Sequence, residues 1–279
     1  MTRNVVVGVD GSAPATEALQ WAAADARRRG LSLRIVHVCE HGGFGDEGTR
    51  YCAGTLAAAA DRARASSPDL EVSTGMLAGN VIDALIGESR SADSVVLGSR
   101  GLGGFTRLLL GSVGRGVAGH ADGPVVIVRG SSWPAHGRVV VGDDGSGCSA
   151  VAVTYAVEQA RARQVPLHVV YSWQMPIAPP YAAGYNALLE SACEEELRAA
   201  AQRVEAWRAQ HPDCEIVGEQ RTGHPAEALI EAGETADLIV VGSRGLGGFA
   251  SAVLGSVSHA LLHHAACPTA VVRPRKRSA

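Results

Sequence analysis

Residues 5–9 form an apolar run broken only by Gly8 and closed by Asp10 and Gly11. A run this short and this apolar predicts a strand covered on both faces. Ser12 then offers a helix cap and Pro14 a first-turn proline, and the pattern predicts a helix over 15–29 that stops at Gly30. The same reading places strands at 33–38, 70–76, 94–97 and 125–128. It places helices at 49–65, 81–90 and 112–121, the second opened by Gly79-Asn80. Beyond 137 the alternation begins again, with strands near 138–143, 167–172, 214–221, 237–241 and 269–273. The intervening helices fall near 149–163, 187–209, 225–234 and 256–265. Strand and helix in strict alternation imply right-handed crossovers and a parallel sheet with helices on both faces.

The second series repeats the first. Val5-Val-Val-Gly-Val-Asp-Gly-Ser12 returns as Val139-Val-Val-Gly-Asp-Asp-Gly-Ser146, an offset of 134 positions. Gly98-Ser-Arg-Gly-Leu-Gly-Gly-Phe105 returns letter for letter as Gly242 to Phe249, and Leu110-Gly-Ser-Val113 as Leu254-Gly-Ser-Val257, both at an offset of 144. The second copy therefore carries about ten extra residues between its first strand and its third. A period this long fits duplication of a domain rather than a solenoid. The expected domains are 1–130 and 138–279, with the Gly-, Ser- and Pro-containing stretch 130–137 as linker. Each would be a Rossmann-like, three-layer α/β unit of five parallel strands and four helices, with its ligand site beyond the C-terminal strand ends.

Composition narrows the function classes. The formal net charge of −3 gives no footprint for nucleic-acid binding, and the one basic cluster, Arg273-Pro-Arg-Lys-Arg277, reads as a solvated tail. No apolar run reaches membrane-spanning length and no signal peptide is evident, so a cytoplasmic protein is expected, without a membrane partner. The cysteines at 39, 52, 148, 193, 214 and 267 show no CxxC pair and no zinc spacing, and read as reduced thiols; no metal site is expected.

The chemistry lies in the glycine loop after the fourth strand. It runs Gly98-Ser99-Arg100-Gly101-Leu102-Gly103-Gly104 and reaches Gly111-Ser112-Val113 at the next helix. The second copy runs Gly242-Ser243-Arg244-Gly245-Leu246-Gly247-Gly248 and reaches Gly255-Ser256-Val257. Glycines permit φ > 0 or close backbone approach, and the amides they expose form an anion-binding concavity. Ser112 and Ser256 open helices whose free N–H groups and dipole favour phosphate, and Arg100 and Arg244 add charge. There is neither a Walker motif nor a dinucleotide fingerprint.

Gly-2x-Gly-9x-Gly-Ser after the fourth strand, with Val-Asp-Gly-Ser ending the first, resembles the ATP-binding branch of the universal stress protein family in tandem form. The resemblance covers essentially the whole chain, once per copy. It implies that the acid ending strand one lies by the nucleoside and that strand two contacts adenine. It further implies that the glycine loop holds ribose and phosphates. By position these are Gly8, Val9, Asp10 and Val38 in the first copy, and Gly142, Asp143, Asp144 and Val170 in the second, together with both loops. Asp143 stands where the first copy has Val9 and would bring a charge to the second site, weakening ATP binding or calling for a cation. Asp10 and Asp144 have an alternative reading as helix caps.

A phosphoryl-transfer enzyme needs a metal carboxylate, a positioned base and a charge clamp. Asp10 and Asp144 are the only well-placed acids, and no His or Glu recurs beside both loops. The expectation is therefore a stress-response regulator that binds one ATP per domain, with or without Mg2+, and hydrolyses little or none. A slow ATPase or phosphotransferase and a nucleotide-free scaffold are the alternatives. The resemblance also implies that the last strands, 125–128 and 269–272, pair within the chain as a pseudo-dimer. A homodimer of the whole chain and an unidentified regulatory protein partner complete the expectation.

Overall fold

In the computed structural model the described residues are 4–39, 46–102, 110–130, 135–174, 183–246 and 253–275. The first half contains β1 (Asn4–Gly8), α1 (Ala13–Arg29), β2 (Ser32–Cys39), α2 (Asp46–Ser66), β3 (Val72–Ala78), α3 (Val81–Ser89), β4 (Ser94–Gly98), α4 (Ser112–His120) and β5 (Val125–Val128). The second half repeats the order. It contains β6 (Val139–Gly142), α5 (Gly147–Arg163), β7 (Leu167–Trp173), α6 (Ala183–Gln210), β8 (Ile216–Thr222), α7 (Pro225–Gly233), β9 (Leu238–Gly242), α8 (Ser256–His264) and β10 (Thr269–Val272). Helix α1 ends on Gly30, whose φ of 63° is open to glycine and reverses the chain into β2. Much of the second copy's extra length lies in α6, which has 28 residues against 21 in α2.

The two halves share one ten-stranded sheet in the order β3-β2-β1-β4-β5-β10-β9-β6-β7-β8. Within each half the neighbours are parallel. The halves meet through β5 and β10, which pair antiparallel with Ala270 opposite Val126. This intrachain pairing covers what would otherwise be two exposed, largely apolar edges. The period-2 alternation of strand side chains then sorts the core into two layers. Val5 and Val7 pack with α1, α2, α5 and α6, whereas Val6 packs with α3, α4, α7 and α8.

A polar cluster joins the halves where α1 meets α5. Asp25 is fully buried and accepts from Arg163 at 3.1 Å and Gln159 at 3.3 Å. Arg29 bonds Asp93 at 2.6 Å and Glu158, across the junction, at 3.2 Å. Three arginines that follow the paired strands fix the opposite half. Arg129 donates to the Leu262 and His263 carbonyls near the end of α8, at 2.7 and 2.6 Å. Arg273 reaches the Gly119 carbonyl of α4, and Arg275 donates to the carbonyls of Ala92 at 2.6 Å and Asp93 at 2.9 Å. This corrects the expectation of a solvated basic tail: Arg273 and Arg275 are built into the junction, and residues 276–279 lie outside the described residues. The expectation of reduced cysteines is corrected as well. Cys39 and Cys52 are joined as a disulfide, while Cys148, Cys193, Cys214 and Cys267 are free.

Candidate functional site

Each half opens a cavity at the C-terminal ends of its strands, on the side from which the glycine loop leaves. The turn after β1 sets its floor. Gly11 has φ 88° and lets the chain double back, so that Asp10 Oδ1 accepts the Ser12 amide at 2.9 Å. Oδ2 accepts the Leu102 amide, 92 residues away, also at 2.9 Å. The second half reproduces this arrangement: Gly145 has φ 78°, and Asp144 accepts from Ser146 N at 3.0 Å and Leu246 N at 3.1 Å. Burial raises the Asp144 pKa, but these N–H groups and the Ser146 and Ser149 hydroxyls outweigh it and hold the carboxyl below its ordinary value. The aspartates therefore tie strand one to the glycine loop. They do not cap the helices. Ser12 caps α1 by accepting from Ala15 N, and Ser146 caps α5 by accepting from Ser149 N.

The loop glycines act through close approach rather than through φ > 0, since none of Gly98, Gly101, Gly111 and their counterparts has a positive φ. A β-carbon at Gly98 would lie 2.6 Å from the Pro14 backbone, and one at Gly101 would lie 2.5 Å from Asp10 Oδ2. A β-carbon at Gly245 would collide with Asp144 in the same way. Gly111 and Gly255 differ. Their β-carbons would meet no protein atom closer than 3.6 and 3.4 Å, in the cleft between the loop backbone and the next helix. Protein packing leaves room for a side chain there.

These two glycines are also the N-caps of α4 and α8, and neither helix receives a side-chain cap. Helices α1, α3, α5 and α7 are each capped, by Ser12, Asn80, Ser146 and His224. A bare helix start leaves amides in need of an acceptor. Among the described N-caps, the two without a side-chain bond are Gly111 and Gly255, and both line a cavity.

The first cavity, about 820 Å³, is lined by Gly8, Val9, Asp10 and Val38, by Gly98 to Leu102, and by Gly111, Ser112 and Val113. The second, about 530 Å³, is lined by Gly142, Asp143, Asp144 and Val170, by Gly242, by Arg244 to Leu246, and by Gly255, Ser256 and Val257. Ser243 is buried and lies off this wall, with its hydroxyl unpartnered, whereas its counterpart Ser99 lines the first cavity. Gly103, Gly104, Gly247 and Gly248 lie outside the described residues.

The halves differ at the position singled out by Asp143. Val9 is buried in the first core, and Asp143 is buried in the second half with a full set of partners. It accepts from Ser149 Oγ at 2.8 Å and Gly145 N at 3.0 Å, and pairs with Arg203 Nε at 2.8 Å. The cation that an acid there calls for is thus supplied by α6, with the Arg203 guanidinium 5.7 Å from the Tyr171 ring centroid. Motif reading does not reach Arg203, since only the tertiary fold brings it to Asp143. It also passes over His37, Cys39, Tyr51 and Cys52, which line the first cavity from β2 and α2. His37 Nδ1 donates to the Val9 carbonyl at 2.7 Å.

The sequence profile of the universal stress protein family matches residues 1–129 and again residues 136–273. A universal stress protein of Mycolicibacterium smegmatis is 34% identical over 291 residues, covering 98% of this chain and 97% of the relative. One from Mycobacterium tuberculosis is 33% identical over 300 residues, covering 97% and 95%. The crystal structure of a universal stress protein from Archaeoglobus fulgidus superposes with a TM-score of 0.74 at 21% identity, covering 98% of this chain and 99% of that one. No helix among the described residues is long and apolar enough to cross a membrane. With one matched domain in each half and relatives aligned over nearly their full length, this chain belongs to the universal stress protein family as a tandem two-domain member.

Proposed function

We propose that each half binds one ATP at its glycine loop, and that the protein is a nucleotide-loaded stress-response regulator with little or no hydrolysis. The observation that carries this reading is the bare start of α4 and α8. Both helices begin on glycine beside a loop tied down by an aspartate, and both turn unsatisfied amides toward a cavity of nucleotide size. Adenine would lie toward Val38 and Val170 on the second strand of each half, and the phosphates toward Ser112 and Ser256, with Arg100 and Arg244 at the mouth.

The engaged state of the acids supports binding over catalysis. Both oxygens of Asp10 and of Asp144 accept backbone amides, and Asp143 is paired with Arg203. A phosphoryl-transfer centre requires carboxylates committed to metal and nucleophile instead. Bound ATP stabilises the folded chain by about 2.7 kcal/mol at a hundredfold excess over Kd, and it orders the loops for a regulatory partner.

The test is mass spectrometry of nucleotide released on denaturing the purified protein, followed by calorimetric titration of the stripped protein with ATP. Adenine nucleotide in the released fraction and two sites per chain are expected. Absence of both would refute the reading, and steady ATP turnover at millimolar substrate would refute the non-catalytic part.

A further inference from the structure

The first cavity holds a cluster for which the nucleotide reading has no use. One ring nitrogen of His37 and the sulfurs of Cys39 and Cys52 lie within 4.8 Å of one another, the one such group of metal-ligand side chains among the described residues. His37 and Cys39 project from the end of β2, and Cys52 from α2. His37 and Cys52 are buried, and Cys39 is half-buried at the cavity wall. By strand register the second half has Tyr171 and Trp173 where the first has His37 and Cys39, so the cluster belongs to one site only.

We propose that reduction of the Cys39–Cys52 disulfide creates a site for a thiophilic d10 cation, Zn2+ in the first instance, held by both thiolates and His37 with a fourth position open to the cavity. Three features carry this. The first is reach: zinc bonds of about 2.0–2.3 Å in a tetrahedron set ligand atoms roughly 3.3–3.8 Å apart, and the three side chains already bring ligand atoms within 4.8 Å of one another. The second is the histidine. A carbonyl only accepts, so the 2.7 Å contact to Val9 O requires the proton on Nδ1 and leaves the Nε2 lone pair free. A metal-bound imidazole has this outer partner, which fixes tautomer and ring plane, and the edge of Tyr51, with ring centroids 6.4 Å apart, packs against the same ring. The third is charge: two thiolates and a neutral imidazole around a divalent ion sum to zero, which suits a largely buried site.

The chemistry balances with a dithiol or phosphine reductant. Two electrons and two protons convert the disulfide to two thiols while the reductant is oxidised. Metal binding then releases both thiol protons to solvent and leaves the metal's oxidation state unchanged. The site stands whether or not ATP binds.

Full-length protein reduced with a phosphine and freed of metal would be titrated with Co2+ under anaerobic conditions, reading the thiolate-to-cobalt charge-transfer band and the visible d–d bands of a tetrahedral ion. One Co2+ per chain, displaced by Zn2+, is expected, with no band in the oxidised protein. The Cys39→Ser plus Cys52→Ser variant should lose the band. His37→Gln should weaken binding about tenfold or more, and Cys193→Ser, remote on α6, should leave it unchanged. No band in reduced wild-type protein, which needs no variant to fold, overturns the proposal. So does an undiminished band in the double variant. Wild-type affinity in His37→Gln overturns the assignment of histidine as a ligand.

Discussion

Replacing Gly111 and Gly255 by alanine separates protein packing from anion binding. The added methyls meet their nearest neighbours at 3.6 Å, Ser99 O, and 3.4 Å, Arg244 Cα, which is ordinary contact. The backbone at both positions, φ near −73°, suits any residue. Alanine is a poorer N-cap than glycine by under about 1 kcal/mol, and the stiffer unfolded chain returns about 0.4–1 kcal/mol. The two effects nearly cancel, so the melting temperature should move by no more than about 2 °C. Affinity behaves differently. Each methyl stands in the cleft that a phosphate must enter to reach the start of α4 or α8. Losing one charge-assisted N–H contact there costs about 1.5–3 kcal/mol, or roughly 10- to 150-fold in Kd. Calorimetric titration of nucleotide-stripped single variants with ATP reads each site in turn. A Gly111→Ala protein that melts normally and binds ATP at both sites with wild-type Kd would refute the placement of phosphate at the helix starts.

Other perturbations test the scaffold. Asp10→Ala frees the Leu102 amide, so hydrogen exchange there should rise about tenfold while the core amides hold; unchanged protection would mean the aspartate does not tie the loop. Asp25→Ala leaves Arg163 without its buried carboxylate partner and should cost about 3–5 kcal/mol in guanidinium unfolding, and a loss below about 1 kcal/mol would contradict the cluster's role at the junction. Arg203→Ala strands the buried Asp143 and should weaken the second ATP site while sparing the first, as read from two-site titration. Burial, together with His259, His264, Arg129 and Arg115, holds the His263 pKa below 6.5. The histidine is thus kept neutral in the fold while the unfolded chain takes up a proton, and stability should fall as pH drops through about 6.5. His263→Gln should flatten that slope in unfolding midpoints measured from about pH 7 to about pH 5, and an unchanged slope would assign it to other groups.

The one-dimensional pattern was enough for the duplication, the ten strands and eight helices, and the two glycine loops. These depend on local signals: short apolar runs, serine caps, Gly30 after the last turn of α1, and a loop repeated letter for letter. The family resemblance placed the last strands as partners, in keeping with two largely apolar edges that have to be covered. Side-chain roles set by distant contacts were out of the pattern's reach. The alternative reading of Asp10 as a helix cap stayed open in the sequence because the partner that decides against it, the Leu102 amide, is 92 residues away. Arg273 and Arg275 looked like a frayed tail because the carbonyls they satisfy belong to the other half. The meeting of Cys39 with Cys52 and the neutralisation of Asp143 by Arg203 are likewise tertiary facts. Sequence periodicity reports which face of an element is buried; which charge or sulfur it meets there is fixed only when helices from separate crossovers pack on the same strand ends.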